Sequence, residues 1–269
     1  IIIGNCSGFY GDRLSAAKDM VEGGPIDVLT GDYLAELTMT ILYNQRMKRG
    51  EDQGYVGTFL KQFKDVAKNC EEKNIKLIED ACQSFGANRD GQYAGTYGDI
   101  ATLSFNANKP VAGISGGGAI LLDQKGKADF LKKVRRHGNG DVLGYNSKML
   151  AINAEFISHR MDKMHEWQDK RFRIAKRYTH NLKDLPVTIP HVDEIVNHCY
   201  HKYVIRLENK ETRDLLKKRL NANVHYPMPI SENPLYKTHI HRKDNCLNSQ
   251  LICDTILTLP IHPYLTDDE

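Results

Sequence analysis

Apolar positions along the chain fall into short runs separated by longer amphipathic stretches. Ile1-Ile2-Ile3 reads as a short buried strand that leads into a Gly-rich loop, Gly4–Gly11. Asp12 is placed to cap a helix running to about Glu22, which Gly23-Gly24-Pro25 ends. Ile26–Leu29 predicts a second strand. Leu34, Leu37, Ile41 and Leu42 then share one face of a helix over Tyr33–Met47. Lys48–Gly57 is polar and Gly-rich and marks an organisational seam. Past it, Phe59–Lys73 predicts a helix, Ile75–Ile78 a buried strand ending in Glu79-Asp80, and Gly86–Gly98 a loop rich in Gly and Tyr. Ile100–Phe105 and Ala119–Leu122 predict two more strands, and Lys125–Arg136 a basic amphipathic helix. Leu150, Ile157, Met161, Met164 and Trp167 recur at helical spacing, which predicts one long helix over Leu150–Asn181. Tyr203–Leu207 reads as a strand, Thr212–Leu220 as a helix, and Val224-His225-Tyr226 as the start of a new edge. Strands alternating with helices give an α/β architecture.

Composition narrows the class. A chain of 269 residues suits one large or two small domains, and 41% hydrophobic with 26% charged residues describes a globular protein rather than a disordered one. The formal net charge of +3 is too weak for a nucleic-acid surface but leaves room for local basic pockets. No apolar run is long enough to span a bilayer. Cys6, Cys70, Cys82, Cys199, Cys246 and Cys253 form no CxxC pair and no zinc-like spacing, so reduced thiols in a cytoplasmic protein are the simplest reading. His239-x-His241 with Cys246 is a faint metal pattern that reads first as a solvated loop. The chain opens without an initiator Met or a basic leader, so no signal peptide is expected. It closes on Asp267-Asp268-Glu269, a helix-opening cluster with no helix after it, and both ends read as cut.

Candidate chemistry gathers between Leu77 and Gly118. Glu79-Asp80-Ala81-Cys82-Gln83 stands at a strand end, Ser104-Phe105-Asn106-Ala107-Asn108-Lys109 follows the next strand, and Gly116-Gly117-Gly118 precedes a third. Ligands of open α/β sheets collect at the carboxyl ends of strands, where Asp80 and Ser104 are expected. In isolation each residue has a plainer role: a surface lysine, a turn-capping aspartate, loop hydroxyls and amides.

The ordered series IKLIEDACQSFGA, GTYGDIATLSFNANK, GGGAILL, VRRHG, LGYNSKM, HKYVIR, VHYPMPI and LPIHPYLTDDE resembles the DegT/StrS family of pyridoxal-phosphate (PLP) sugar aminotransferases, over roughly three quarters of the chain. The resemblance implies a truncated PLP-dependent transferase fold of type I, aspartate-aminotransferase-like. It implies transfer of an amino group from an amino-acid donor, usually glutamate, to a keto group of a sugar nucleotide. It makes Lys109 the amine that captures the cofactor aldehyde and later moves a proton, and Asp80 the carboxylate facing the ring nitrogen. Gln83 matches the residue near the ring hydroxyl, Ser104 a hydroxyl donor to the cofactor phosphate, and Asn146 a residue reaching that phosphate from the partner of a homodimer. A dehydratase branch carries histidine where Lys109 stands, so the transaminase branch is expected. His137, His201, His225 and His262 are expected to pack or line the pocket mouth, and Lys132, Lys133, Arg135 and Arg136 to form a solvated helix face.

The pattern also departs from that family. Its N-terminal part, with the phosphate-binding turn and the aromatic that stacks on the ring, is expected to be missing. Pro110 replaces the usual Asn, Gly116 occupies a usually acidic position, and the final helix is expected to be absent. Instead GNCSGFYGDRLSAAKDMVEGGPIDVLTGDYLAELTM resembles the N-terminus of acyclic terpene utilisation (AtuA-type) proteins and implies a β-α-β-α segment. The domain expectation is therefore an AtuA-like segment over 1–58, a partial PLP-binding large domain over 59–200 and a partial C-terminal small domain over 201–269. The alternatives to an active transaminase are an inactive fusion or truncated protein, or an acyclic terpene utilisation-type protein.

Overall fold

A computed structural model describes residues 2–4, 67–192, 196–234 and 247–266. The expected helices over Asp12–Glu22 and Tyr33–Met47, the strand at Ile26–Leu29 and the histidines of His239-x-His241 lie outside these residues. The chain divides into two compact units, the first containing described residues up to His165 and the second those from Glu166 onward.

The first unit is built on a four-stranded sheet in the order β1 (Ile2–Gly4), β2 (Ile78–Asp80), β5 (Ile100–Ser104), β6 (Gly118–Leu121). The first three strands run parallel, with Ile78 opposite both Ile2 and Ile100. β6 closes the edge antiparallel, Ser104 facing Gly118. Ile100, Ala101 and Leu103 are buried, as the apolar run of a parallel strand requires, whereas Ile120 and Leu121 on the edge strand are exposed. The strand predicted over Ile75–Ile78 starts later, at Ile78, and includes Glu79 and Asp80: Ile75 is exposed and Leu77 is the first buried position.

Inside the expected Gly86–Gly98 loop lies a hairpin of β3 (Asn88–Arg89) and β4 (Gln92–Tyr93). Its two-residue turn is Asp90-Gly91, with φ of +51° and +80°. Positive φ at both centres is what a two-residue hairpin turn demands, and Asp-Gly is its usual sequence. A helix over residues 67–72 precedes β2. Helix α1 (Lys125–Val134) buries none of its residues, and Lys132, Lys133, Arg135 and Arg136 are all exposed, so the solvated basic face is present.

The long helix predicted over Leu150–Asn181 is two helices, α2 (Ala151–Met161) and α3 (Met164–Leu182). Asp162 ends the first in helical backbone geometry, and no proline or glycine marks the break. Apolar spacing carries across it unchanged, so periodicity could not reveal it.

In the second unit α3, a short strand β7 (Val196–Asn197), helix α4 (Lys210–Arg219) and helix α5 (Leu247–Thr255) accompany an antiparallel pair, β8 (Tyr203–Arg206) and β9 (Ile256–Leu259). Ala175, Tyr203, Ile205, Leu257 and Leu259 form the core, with Tyr178 and Leu182 packed against it. Asn209 caps α4, its Oδ1 accepting the Thr212 N–H at 2.9 Å, which starts that helix earlier than predicted. The buried Arg171 guanidinium donates from Nη1 to Tyr200 O at 3.1 Å and Ile261 O at 2.7 Å, stapling the approaches to both strands. The expected edge at Val224–Tyr226 is not a strand. It reduces to a bridge between Asn223 and Thr258, beside which His225 Nδ1 lies 2.9 Å from Thr258 Oγ1.

Candidate active site

The site is built at the carboxyl ends of β2 and β5. Successive residues of a strand face opposite sides of the sheet, so Glu79 and Asp80 diverge. Glu79 turns inward and is buried. Its Oε1 accepts the Gly95 N–H at 2.6 Å, and its Oε2 accepts those of Tyr97 at 2.9 Å and Gly98 at 3.4 Å. Burial pushes this carboxyl above the usual range and the three backbone donors pull it part of the way back. Glu79 therefore ties the segment after the hairpin to the strand that carries Asp80.

Asp80 is half-buried on the other face. Its Oδ1 accepts the Cys82 N–H at 3.0 Å and the Thr102 hydroxyl at 3.3 Å, which fixes the carboxylate to the turn after β2 and to β5. Among the described residues nothing donates to Oδ2. Gln83 follows in the turn after β2 and is half-buried. Ser104 ends β5, and its Oγ accepts the Asn106 N–H at 3.4 Å. The chain then turns through a bond from Lys109 N–H to Asn106 O at 2.9 Å, which brings Lys109 to a position only 9% exposed. Lysine is among the residues least often buried, and burying its ammonium is costly, so this placement sets Lys109 apart from an ordinary surface lysine.

The structure thus places Asp80 and Ser104 at the carboxyl ends of two neighbouring parallel strands, with Gln83 and Lys109 in the segments that follow them. Asn146 is exposed, on a loop where it bridges Arg136, and makes no described contact with the other four. Of the expected pocket histidines in the second unit, His201 is buried and His225 half-buried, with burial holding His225 below the ordinary histidine value. Sequence reasoning overlooked Glu79 as a holder of the site and Asn153, whose amide contacts the loop behind Lys109. The bond partners of both lie far along the chain, beyond the reach of any local pattern.

A lysine at a largely buried position, an anchored carboxylate with one uncommitted oxygen, and a hydroxyl at a strand end form a donor set that fits PLP: an aldehyde, a ring nitrogen and a phosphate. Among the described residues no group of three or more His, Cys, Asp or Glu side chains is placed to hold a metal ion, and no described helix is long and apolar enough to cross a membrane.

The chain is similar to known proteins in sequence and in fold. UDP-N-acetyl-3-dehydro-alpha-D-glucosamine 3-aminotransferase of Acidithiobacillus ferrooxidans is 26% identical over 209 residues, covering 74% of this chain and 55% of that protein. The chain spans a little over half the length of the curated relatives it matches. A crystal structure of a DegT DnrJ EryC1 StrS aminotransferase from Brucella abortus superposes with a TM-score of 0.71 at 25% identity, over 90% of this chain and 69% of that one. NtdA of Bacillus subtilis, solved with bound cofactor PMP, superposes with a TM-score of 0.65 at 27% identity, over 77% of this chain and 50% of its own. The fold is the α/β aminotransferase fold that the sequence pattern implied. The sequence pattern of the DegT/DnrJ/EryC1/StrS aminotransferase family matches residues 54–269, so the first 53 residues lie outside the match. Members of that family are PLP-dependent. With 54–269 matched, the chain belongs to the DegT/DnrJ/EryC1/StrS aminotransferase family.

Proposed function

We propose that this protein transfers an amino group from an amino-acid donor, glutamate in the first instance, to the keto group of a sugar nucleotide, using PLP. The observation that carries the reading is a lysine buried to 9% exposure beyond the end of the strand next to the one that ends in Asp80. When bound, PLP supplies an aldehyde for an amine to capture and an electron-withdrawing ring.

Lys109 Nζ is the amine in this reading, and once displaced it moves a proton to and from the substrate carbon. Asp80 Oδ2 holds a proton on the ring nitrogen, while Oδ1 stays engaged with Cys82 and Thr102 and keeps the carboxylate from turning away. Ser104 donates its hydroxyl to the phosphate and Gln83 meets the ring hydroxyl. Asn146, exposed on its loop, serves a partner copy in a homodimer, reaching the phosphate of the other site. The named relative acts on a nucleotide-linked keto sugar, and that substrate class is the one assigned here.

The test is a titration of the full chain with PLP followed by visible absorbance. A new band above the spectrum of free PLP is expected for the unaltered protein, and none for Lys109→Ala. A band that survives Lys109→Ala, or no band at all, overturns the assignment. Formation of 2-oxoglutarate from glutamate in the presence of a keto sugar nucleotide then tests the transfer itself.

A further inference from the structure

The segment from Phe105 to Gly117 leaves β5, carries Lys109 and returns to begin β6. Its ends are tied together: Phe105 N–H donates to Gly117 O at 2.9 Å and Gly113 N–H to Phe105 O at 2.8 Å. The returning arm is also gripped from α2 by Asn153, only 2% exposed. Its Nδ2 donates to Gly116 O at 2.7 Å and its Oδ1 accepts the Ser115 N–H at 3.4 Å. One amide therefore serves a backbone donor and a backbone acceptor of the same arm, as a neighbouring strand would. Asn153 stands in the first turn of α2, and burying its amide is unfavourable unless it is bonded, which these contacts provide.

The arm is shaped around that amide. A Cβ on Gly113 would stand 2.6 Å from Asn153 Oδ1 and 2.5 Å from Gly116 O. One on Gly117, at φ +125°, would stand 2.7 Å from Met149 Cε and 3.5 Å from Asn153 Nδ2. Gly116, where the family resemblance leads one to expect an acidic residue, has φ +76°, a conformation in which such a residue would be strained.

We propose that Asn153 is a positioning residue: by clamping the Gly113–Gly117 arm it sets where the loop presents Lys109. The clamp stands on this geometry, and its consequence for PLP rests on the reading of Lys109 above. The test is Asn153→Ala in the full chain. Hydrogen exchange at the Ser115 amide is expected to rise about tenfold, the effect of one lost hydrogen bond, while amides of the β2–β5 ladder stay unchanged. The PLP concentration that half-saturates the visible band is expected to rise by a similar factor, roughly tenfold. Asn153→Asp keeps the volume and the acceptor for Ser115, so it is expected to leave Ser115 exchange nearer the unaltered protein while still weakening the PLP band. Gly113→Ala, which displaces the amide from the other side, is expected to reproduce Asn153→Ala. If Asn153→Ala does not fold, these two variants decide on the same readouts. Unchanged Ser115 exchange in Asn153→Ala and Gly113→Ala, or a rise spread evenly over the whole unit with unchanged half-saturation, overturns the proposal. Should the unaltered protein give no band, the Lys109 reading fails, and Ser115 exchange alone still decides the clamp.

Discussion

Replacing Glu79 by Gln removes a charge and one acceptor oxygen while keeping the shape, which isolates what the three backbone donors contribute. The amide carbonyl of Gln can face Tyr97 and Gly98, or it can face Gly95, but not both. In the better arrangement it keeps the 2.9 and 3.4 Å contacts and points its NH2 at the Gly95 N–H, where the 2.6 Å bond now stands. A hydrogen bond to a charged group is worth about 1.5–3 kcal/mol, and a stranded buried donor costs about 1–3 kcal/mol more. Relief of the desolvated charge returns part of this, so the expected net loss at pH 7 is roughly 2–3 kcal/mol. Urea unfolding with matched m-values measures it. The pH dependence gives the sign. Burial raises the native carboxyl above 4.5, so between 4.5 and the native value the folded state holds more protons than the unfolded one. Stability from this group is then greatest at the acid end and is lost as pH rises through the native value. The Gln variant lacks that dependence, so the gap between the two proteins should widen as pH falls through the native value toward 4.5. A gap at pH 7 under about 0.5 kcal/mol would refute the reasoning, because it would mean that the three donors are satisfied elsewhere; a gap that narrows as pH falls toward 4.5 would refute it too, because it would mean that the carboxyl is not raised.

Two further perturbations test the second unit. His198 accepts the Tyr200 N–H on Nδ1 at 3.1 Å, and burial pushes it from 6.5 down to about 4, so it folds neutral while the unfolded chain takes up a proton below about 6.5. Stability should therefore fall as pH drops from about 6.5 toward about 4, by roughly 2 kcal/mol after discounting for its partial exposure, and His198→Phe should flatten that limb in thermal unfolding across the same range. Arg171→Met should cost about 3 kcal/mol by urea unfolding, because Tyr200 O and Ile261 O lose a shared buried donor, whereas a neutral result would mean that water takes its place.

What the sequence disclosed and what it withheld divide along one physical line. Elements written by local pattern were legible: the Ile100–Ser104 strand in its apolar run, the α4 helix, and the loop from Ser104 to Lys109 at a strand end. The Asp90-Gly91 hairpin was equally local and went unread. Apolar spacing could not show that α2 and α3 are separate, because neither proline nor glycine stands at Asp162-Lys163. The passage from α5 to β9 went unread. There the chain passes from helix to strand with no turn residue between, Thr255 bonding back to Leu251 O at 2.7 Å and Ile256 already in the ladder.

Polar side chains with distant partners are the harder class. Glu79 and Asp80 are neighbours of like charge, and it is the N–H groups of Gly95, Tyr97 and Gly98 that commit the first to the scaffold, while the second lies on the other face of the sheet. Asn153 reads as one polar position in an amphipathic helix until Ser115 and Gly116 are brought against it, 38 and 37 residues away. The residues proposed here to meet a ligand sit at or just beyond strand ends and can be found from pattern. The residues that hold them still, Glu79 and Asn153, are defined by pairings that exist only after folding. A chain that kept Lys109 and Asp80 but lost Asn153 would keep its motif and, on the proposal above, present its amine in the wrong place.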